Sequence, residues 1–207
     1  MARLNPQPGP VLVVTGPSGV GKGTVISHLR RLDPGLWVSV SVTTRAPRAG
    51  EVNGQHYHFC SEEEFERLRA GGTLLESAHF AGHSYGTPAA PVRQRMAQGL
   101  PTVLEIDVQG AEQVARSCPE AVRVLLLPPD EGELRRRLIG RGTEDAASLD
   151  RRLVAARAEI AAAERFPHVL VNVDAEDTAR RLLALLQSLT VTDPAPPQPA
   201  GDEVDLP

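Results

Sequence analysis

Aromatic side chains are scarce in this 207-residue chain, at 3%: one tryptophan, two tyrosines and four phenylalanines. Any core must therefore be built mainly from Val, Leu, Ile and Ala. Cysteine is almost missing. Cys60 and Cys118 stand far apart in a spacing that suits neither a metal site nor a redox pair, so two reduced thiols are expected. Positive charge is not in excess: 22 Lys and Arg face 26 Asp and Glu, a net charge of −4. That balance gives no support for broad nucleic-acid binding, which needs a cationic surface, although it allows a local basic pocket. No apolar run reaches the length of a membrane span, and the opening MARLNPQPGP lacks an apolar signal segment. A cytoplasmic protein is expected. Four histidines, His56, His58, His79 and His83, fall close together but match no zinc spacing.

What is present reads as one α/β domain, a size that can bury a sizeable core. Short β-branched or apolar runs, Val11 to Thr15, Thr102 to Asp107, Val122 to Leu127 and His168 to Val173, read as buried strands. Trp37 to Val42 alternates apolar residues with serine and reads as a further strand, with Trp37 expected in the core. Helical stretches fall between them, near 21–32, 110–117, 130–140, 149–165 and 175–189. Strands alternating with helices imply a parallel sheet with helices on both faces. Residues 43–100 differ in character, being rich in Gly, Pro, His and aromatics. They read as an inserted subdomain of short strands around a helix near 62–70, which Ser61 and Glu64 begin as a capping box. Residues 1–9 are expected as a loose arm and 191–207 as a disordered, Pro-rich acidic tail.

The sharpest motif is Gly16-Pro17-Ser18-Gly19-Val20-Gly21-Lys22-Gly23-Thr24, between a predicted strand and a predicted helix. Its glycines let successive backbone N–H groups face one anion, the helix N-terminus adds a positive dipole end, and Lys22 adds a full charge. This is a phosphate-binding loop for ATP. Ser or Thr usually follows the lysine and touches magnesium; here Gly23 takes that place, and Thr24 comes next. Asp107, at the end of its strand, is the other candidate for holding Mg2+, through water.

A second constellation addresses the acceptor. Ser41, Arg45 and Arg48 are followed by Glu51, Tyr57, Glu76, Tyr85 and Thr87. Paired arginines can grip one phosphate through several charge-assisted bonds, and tyrosine hydroxyls can add donors. Guanine presents donors at N1 and N2, so carboxylates such as Glu76 and Glu105 are apt readers, whereas adenine would leave them unpaired.

The strings GPSGVGKGT, SVTTRAPRAGEVNGQHYHF, YGTP, LEIDVQG and LIGRGTE, spread over residues 10–190, resemble guanylate kinases. The resemblance implies a P-loop NTPase fold with a core of 10–42 and 101–190, a GMP-binding insert at about 43–100 and a mobile lid at about 137–152. It implies transfer of the γ-phosphoryl group of ATP to GMP, and to dGMP, for purine nucleotide metabolism. Ser41, Arg45, Arg48, Tyr57 and Tyr85 would hold the GMP phosphate; Glu76, Thr87 and Glu105 would read guanine, with Asp107 beside them. The family often has Asp where this chain has Glu105. Arg137, Arg141 and Arg152 would close on the phosphates, and Asn172 would contact adenine. Catalysis would fall to Lys22, Arg45 and the three lid arginines. A guanylate-kinase-like binding module without activity, and another P-loop kinase acting on a ribosyl phosphate, stand as alternatives; no Asn-Lys-x-Asp motif favours a GTPase. The sequence carries no signature of oligomeric state.

Overall fold

A computed structural model describes residues 8–139 and 146–190 of the chain. The expected tail at 191–207, most of the expected arm and the middle of the expected lid lie outside them. Gly9 is buried and its N–H donates to the Met96 carbonyl at 2.7 Å, so packed chain begins before Pro10.

Five strands form an all-parallel sheet in the order β2-β7-β1-β8-β9. They are β1 (Val11–Thr15), β2 (Trp37–Val38), β7 (Thr102–Glu105), β8 (Val122–Leu127) and β9 (His168–Val171). Side chains alternate across a strand, and both faces of this sheet are covered. Val11, Val13, Leu104 and Leu125 pack on one face with α3 (Ala89–Ala97) and α4 (Val108–Ser117). Leu12, Val14, Val103 and Val124 pack on the other with α1 (Lys22–Leu32) and α7 (Ala175–Thr190). This explains why β1 is apolar at every position up to Thr15, with all five residues buried. A smaller apolar cluster joins α5 (Glu131–Ile139) to α6 (Ala146–Ala161) through Leu134, Leu138, Leu153 and Ala156. The architecture is that of a P-loop NTPase, α/β with a parallel sheet flanked by helices.

A second sheet of four strands, order β4-β3-β6-β5, stands beside the first. It comprises β3 (Val42–Thr43), β4 (His58–Phe59), β5 (Leu74–Phe80) and β6 (His83–Pro88), with α2 (Glu62–Ala70) between β4 and β5. Ser61 and Glu64 make the reciprocal bonds of a capping box at the start of α2.

Several expected elements are corrected. Trp37 to Val42 is two strands in two sheets. Trp37 and Val38 pair with β7, and Ser39 makes a last bond to the Val103 carbonyl. Val42 then pairs with His58 and Gly86. The strand expected to reach Asp107 stops at Glu105, because the Asp107 side chain accepts the Gly110 N–H and caps α4. β9 stops at Val171, two residues short of the expected Val173. The expected helix at 149–165 begins earlier and ends in a 3-10 turn, Ala162–Arg165.

Candidate functional site

The end of β1 and the start of α1 form the phosphate loop. Gly16 has φ 147°, and a Cβ there would stand 2.4 Å from the Leu126 carbonyl; Gly21, at φ 100°, has no room beside Asn172. Both positions therefore require glycine. Val20 is fully buried in the core and anchors the loop. Lys22, the first residue of α1, folds back so that Nζ donates to the Gly16 and Pro17 carbonyls.

Three side chains from distant segments hold this loop. Arg137 Nη1 and Asn172 Nδ2 both donate to the Val20 carbonyl, at 2.9 and 2.8 Å. Arg152 Nη2 donates to Ser18 Oγ at 2.6 Å. Asn172 is 2% exposed; besides its bond to the loop, its Oδ1 accepts from Thr178 Oγ1, so its side chain braces the phosphate loop from inside the protein. Arg141 lies outside the described residues.

An open cleft of about 790 Å3 runs from the phosphate loop to the second sheet. Gly16, Pro17, Ser18, Gly19, Gly21, Lys22 and Gly23 line one end. Ser41, Arg45, Arg48, Tyr57 and Tyr85 line the other, with Glu76, Glu105 and Asp107 also on the wall. Thr24 and Thr87 do not line it. Thr24 is exposed on α1, whereas Thr87 is fully buried and its Oγ1 donates to Glu76 Oε1 at 2.7 Å. Thr87 thus orients Glu76.

At the acceptor end, Arg45 Nη1 and Nη2 grip Glu51 Oε2 and Oε1 at 3.0 and 2.9 Å. The Arg45 guanidinium also lies 5.3 Å from the Tyr57 ring centroid, and the Tyr57 and Tyr85 rings meet edge-on at 6.0 Å. Hydrogen bonds from Arg45 and from the Arg48 N–H hold the Glu51 carboxyl down at about 2. Burial, aided by the Glu105 charge, pushes the Tyr57 phenol up. Glu76 is 5% exposed, and burial raises its carboxyl to about 7 against the pull of the Thr87 hydroxyl.

Sequence reasoning gives no role to several cleft residues, Glu51, Ser39 and Glu159 among them. Glu51 stands inside the Arg-rich motif, and its acidic character beside two arginines is the available signal. Ser39 lines the cleft and its buried Oγ has no partner among the described residues. Glu159 on α6 also lines it; burial raises its carboxyl, while Lys22 and the Ser18 N–H favour its charge. Nothing local to Glu159 foretells that contact, since the residues it meets are far away in the chain.

For magnesium, the donor set is mixed. Asp107 offers a hard carboxylate oxygen on the cleft wall while its Oδ1 caps α4, and Thr24 is exposed on α1. Among the described residues no group of three or more His, Cys, Asp or Glu could hold a metal ion. The residues present fit a magnesium ion carried mainly by nucleotide phosphates and water, which Asp107 would help to hold. No helix among the described residues is long and apolar enough to cross a membrane.

The family profile described as guanylate kinase matches residues 9–189. A guanylate kinase of Streptomyces coelicolor is 56% identical over 173 residues, covering 84% of this chain and 88% of the relative. One of Synechococcus is 51% identical over 180 residues, covering 87% and 94%. The crystal structure of guanylate kinase from Anaplasma phagocytophilum superposes with a TM-score of 0.72 at 34% identity, covering 90% of this chain and 88% of that one. The chain belongs to the guanylate kinase family.

Proposed function

We propose that this chain transfers the γ-phosphoryl group of ATP to GMP, and to dGMP, yielding ADP and the nucleoside diphosphate, and that it does so in the cytoplasm. The observation that carries this reading is the single cleft with a Lys22 phosphate loop at one end and the Arg45, Arg48, Tyr57 and Tyr85 group at the other, with buried Glu76 on its wall.

In this reading the phosphate-loop N–H groups and Lys22 hold the ATP phosphates, and Arg45, Arg48 and the two tyrosines hold the GMP phosphate. Glu76, ionised and steadied by Thr87, accepts from guanine N1–H and N2–H, and Glu105 lies on the same wall. The acceptor is already an anionic phosphate oxygen, so no strong general base is required. The protein acts by alignment and by offsetting the repulsion of two anions. Magnesium on the phosphates would neutralise part of the charge that develops on transfer. Arg137 and Arg152 already touch the loop, and closing the lid segment near 137–152 brings cationic groups over the phosphates and excludes water.

A coupled ADP-release assay with ATP and magnesium, offered GMP, AMP, CMP and UMP in turn, tests the reading. Release with GMP alone is expected. Release with none of the four, together with saturable GMP binding by calorimetry, would replace the kinase by a binding module.

A further inference from the structure

Glu76 sits on the outermost strand of the second sheet. Among the described residues, β5 pairs with β6 on one side and has no strand on the other, so its outer backbone groups lack ladder partners there. The pairing also slips between Leu74 and Glu76, which leaves Leu75 as the extra residue of a bulge. Unpaired backbone groups at such an edge need partners from elsewhere.

Helix α4 supplies them. Gln113 Oε1 accepts the Ser77 N–H at 3.0 Å, and Gln113 Nε2 donates to the Ser77 carbonyl at 2.7 Å. One side chain thereby makes both bonds that a neighbouring strand residue would make. Ser117 Oγ donates to the Leu75 carbonyl at 2.8 Å. The three bonds fall on the two residues that flank Glu76. Gly110, one turn earlier on α4, faces the carboxylate itself: an added Cβ would stand 2.6 Å from Glu76 Oε2 and 3.1 Å from Cδ. The Gly110 N–H is tied to Asp107 on the cleft wall, so the helix is indexed to the core.

We propose that Gln113, with Ser117 and Gly110, is a positioning device for base selection: α4 acts as a surrogate edge strand that fixes the height and direction of Glu76 relative to the bound guanine. The inference rests on the reading of Glu76 as the guanine acceptor. Gln113 touches no substrate and acts only through β5. Its removal therefore spares the ATP site, and it loosens the reading of the purine edge that distinguishes GMP from IMP, which lacks the N2 amino group.

The test is a double-mutant cycle of Gln113→Leu and Glu76→Gln, with KM for GMP, IMP and ATP measured for each enzyme. Gln113→Leu keeps the side-chain bulk and removes both bonds. It should raise KM for GMP about tenfold, narrow the preference for GMP over IMP, and leave KM for ATP unchanged. In the Glu76→Gln background the same substitution should have no further effect on KM for GMP. Unchanged KM for GMP in Gln113→Leu, equal losses for GMP and ATP, or a full additional loss on top of Glu76→Gln would each overturn the proposal alone. A Glu76→Gln enzyme with normal KM for GMP would overturn the reading of Glu76 and the proposal with it. Should Gln113→Leu fail to fold, Ser117→Ala, which loses one bond, decides the matter, with a GMP-specific rise of about threefold expected and no change overturning the proposal.

Discussion

The Arg45 guanidinium and the Glu51 carboxylate meet in a two-pronged ion pair, with both N···O distances at or below 3.0 Å and Arg45 stacked near the Tyr57 ring. The pair is only partly exposed, with side-chain accessibilities of 11% and 17%. Glu51 also accepts the Arg48 N–H at 2.7 Å, so one carboxylate sets both arginines of the acceptor site. Glu51→Gln should raise KM for GMP about tenfold, from the loss of one charge-assisted pair, and change KM for ATP little. Steady-state kinetics with each substrate varied in turn checks this. Because the Glu51 carboxyl is held below its ordinary 4.5, at about 2, the stabilisation it gives is complete above pH 4.5 and is lost as pH falls toward 2. Urea melts between those pH values should show a shallower loss in Glu51→Gln than in the parent.

Glu76 shifts the other way. Burial holds its carboxyl near 7 instead of 4.5, so the GMP-free protein should lose stability as pH rises from 4.5 to about 7, where the buried group is forced to ionise. Guanine needs the ionised form as its acceptor. GMP affinity should therefore weaken by about tenfold per pH unit below 7 from this group and level off above it. Calorimetry across this range on the parent and on Glu76→Gln separates the effect from titration of the GMP phosphate itself, because only the parent should retain the additional slope.

Lys22 is the sole lysine of the chain, which makes the phosphate loop chemically addressable. An amine-acylating reagent followed by peptide mass analysis should modify Lys22 and the N-terminal amine alone. ATP with magnesium should protect Lys22 and leave the N-terminal amine as the internal reference, whereas GMP should protect it weakly. Lys22→Ala should abolish transfer and leave GMP binding largely intact; turnover near that of the parent would remove Lys22 from the chemistry.

Asn172 couples the end of β9 to the phosphate loop. Asn172→Ala deprives the Val20 carbonyl of one of its two side-chain donors and strands Thr178 Oγ1 from one partner, although the Asp174 carbonyl remains. Chemical denaturation should register a loss of about 1 kcal/mol, the net worth of a hydrogen bond whose partners each keep another. KM for ATP should rise more than KM for GMP. A rise confined to GMP would contradict the loop-support role.

Features governed by short-range chemistry are legible in the order of the residues. The strand, glycine turn and lysine at 11–24 are consecutive, and the capping box of Ser61 and Glu64 closes over three residues. The alternation of strands and helices announces the parallel sheet, because a parallel crossover needs a helix. Harder to read is the segment Trp37 to Val42, whose pattern suits either one strand or two. Asp107 reads as a strand-end acid, but its capping bond to Gly110 belongs to the helix that follows.

By itself the sequence determined the phosphate loop, the fold class and the inventory of groups in the acceptor motif, since each is written in adjacent residues and their backbone preferences. Only the tertiary structure decided which groups meet. It brought Gln113 to Ser77 across 36 positions, Arg137 to Val20 across 117, and Asn172 to the same carbonyl across 152. It also buried Glu76, and with that shifted its proton affinity. Burial and long-range hydrogen bonding depend on how separate elements pack, and local residue patterns do not record that packing.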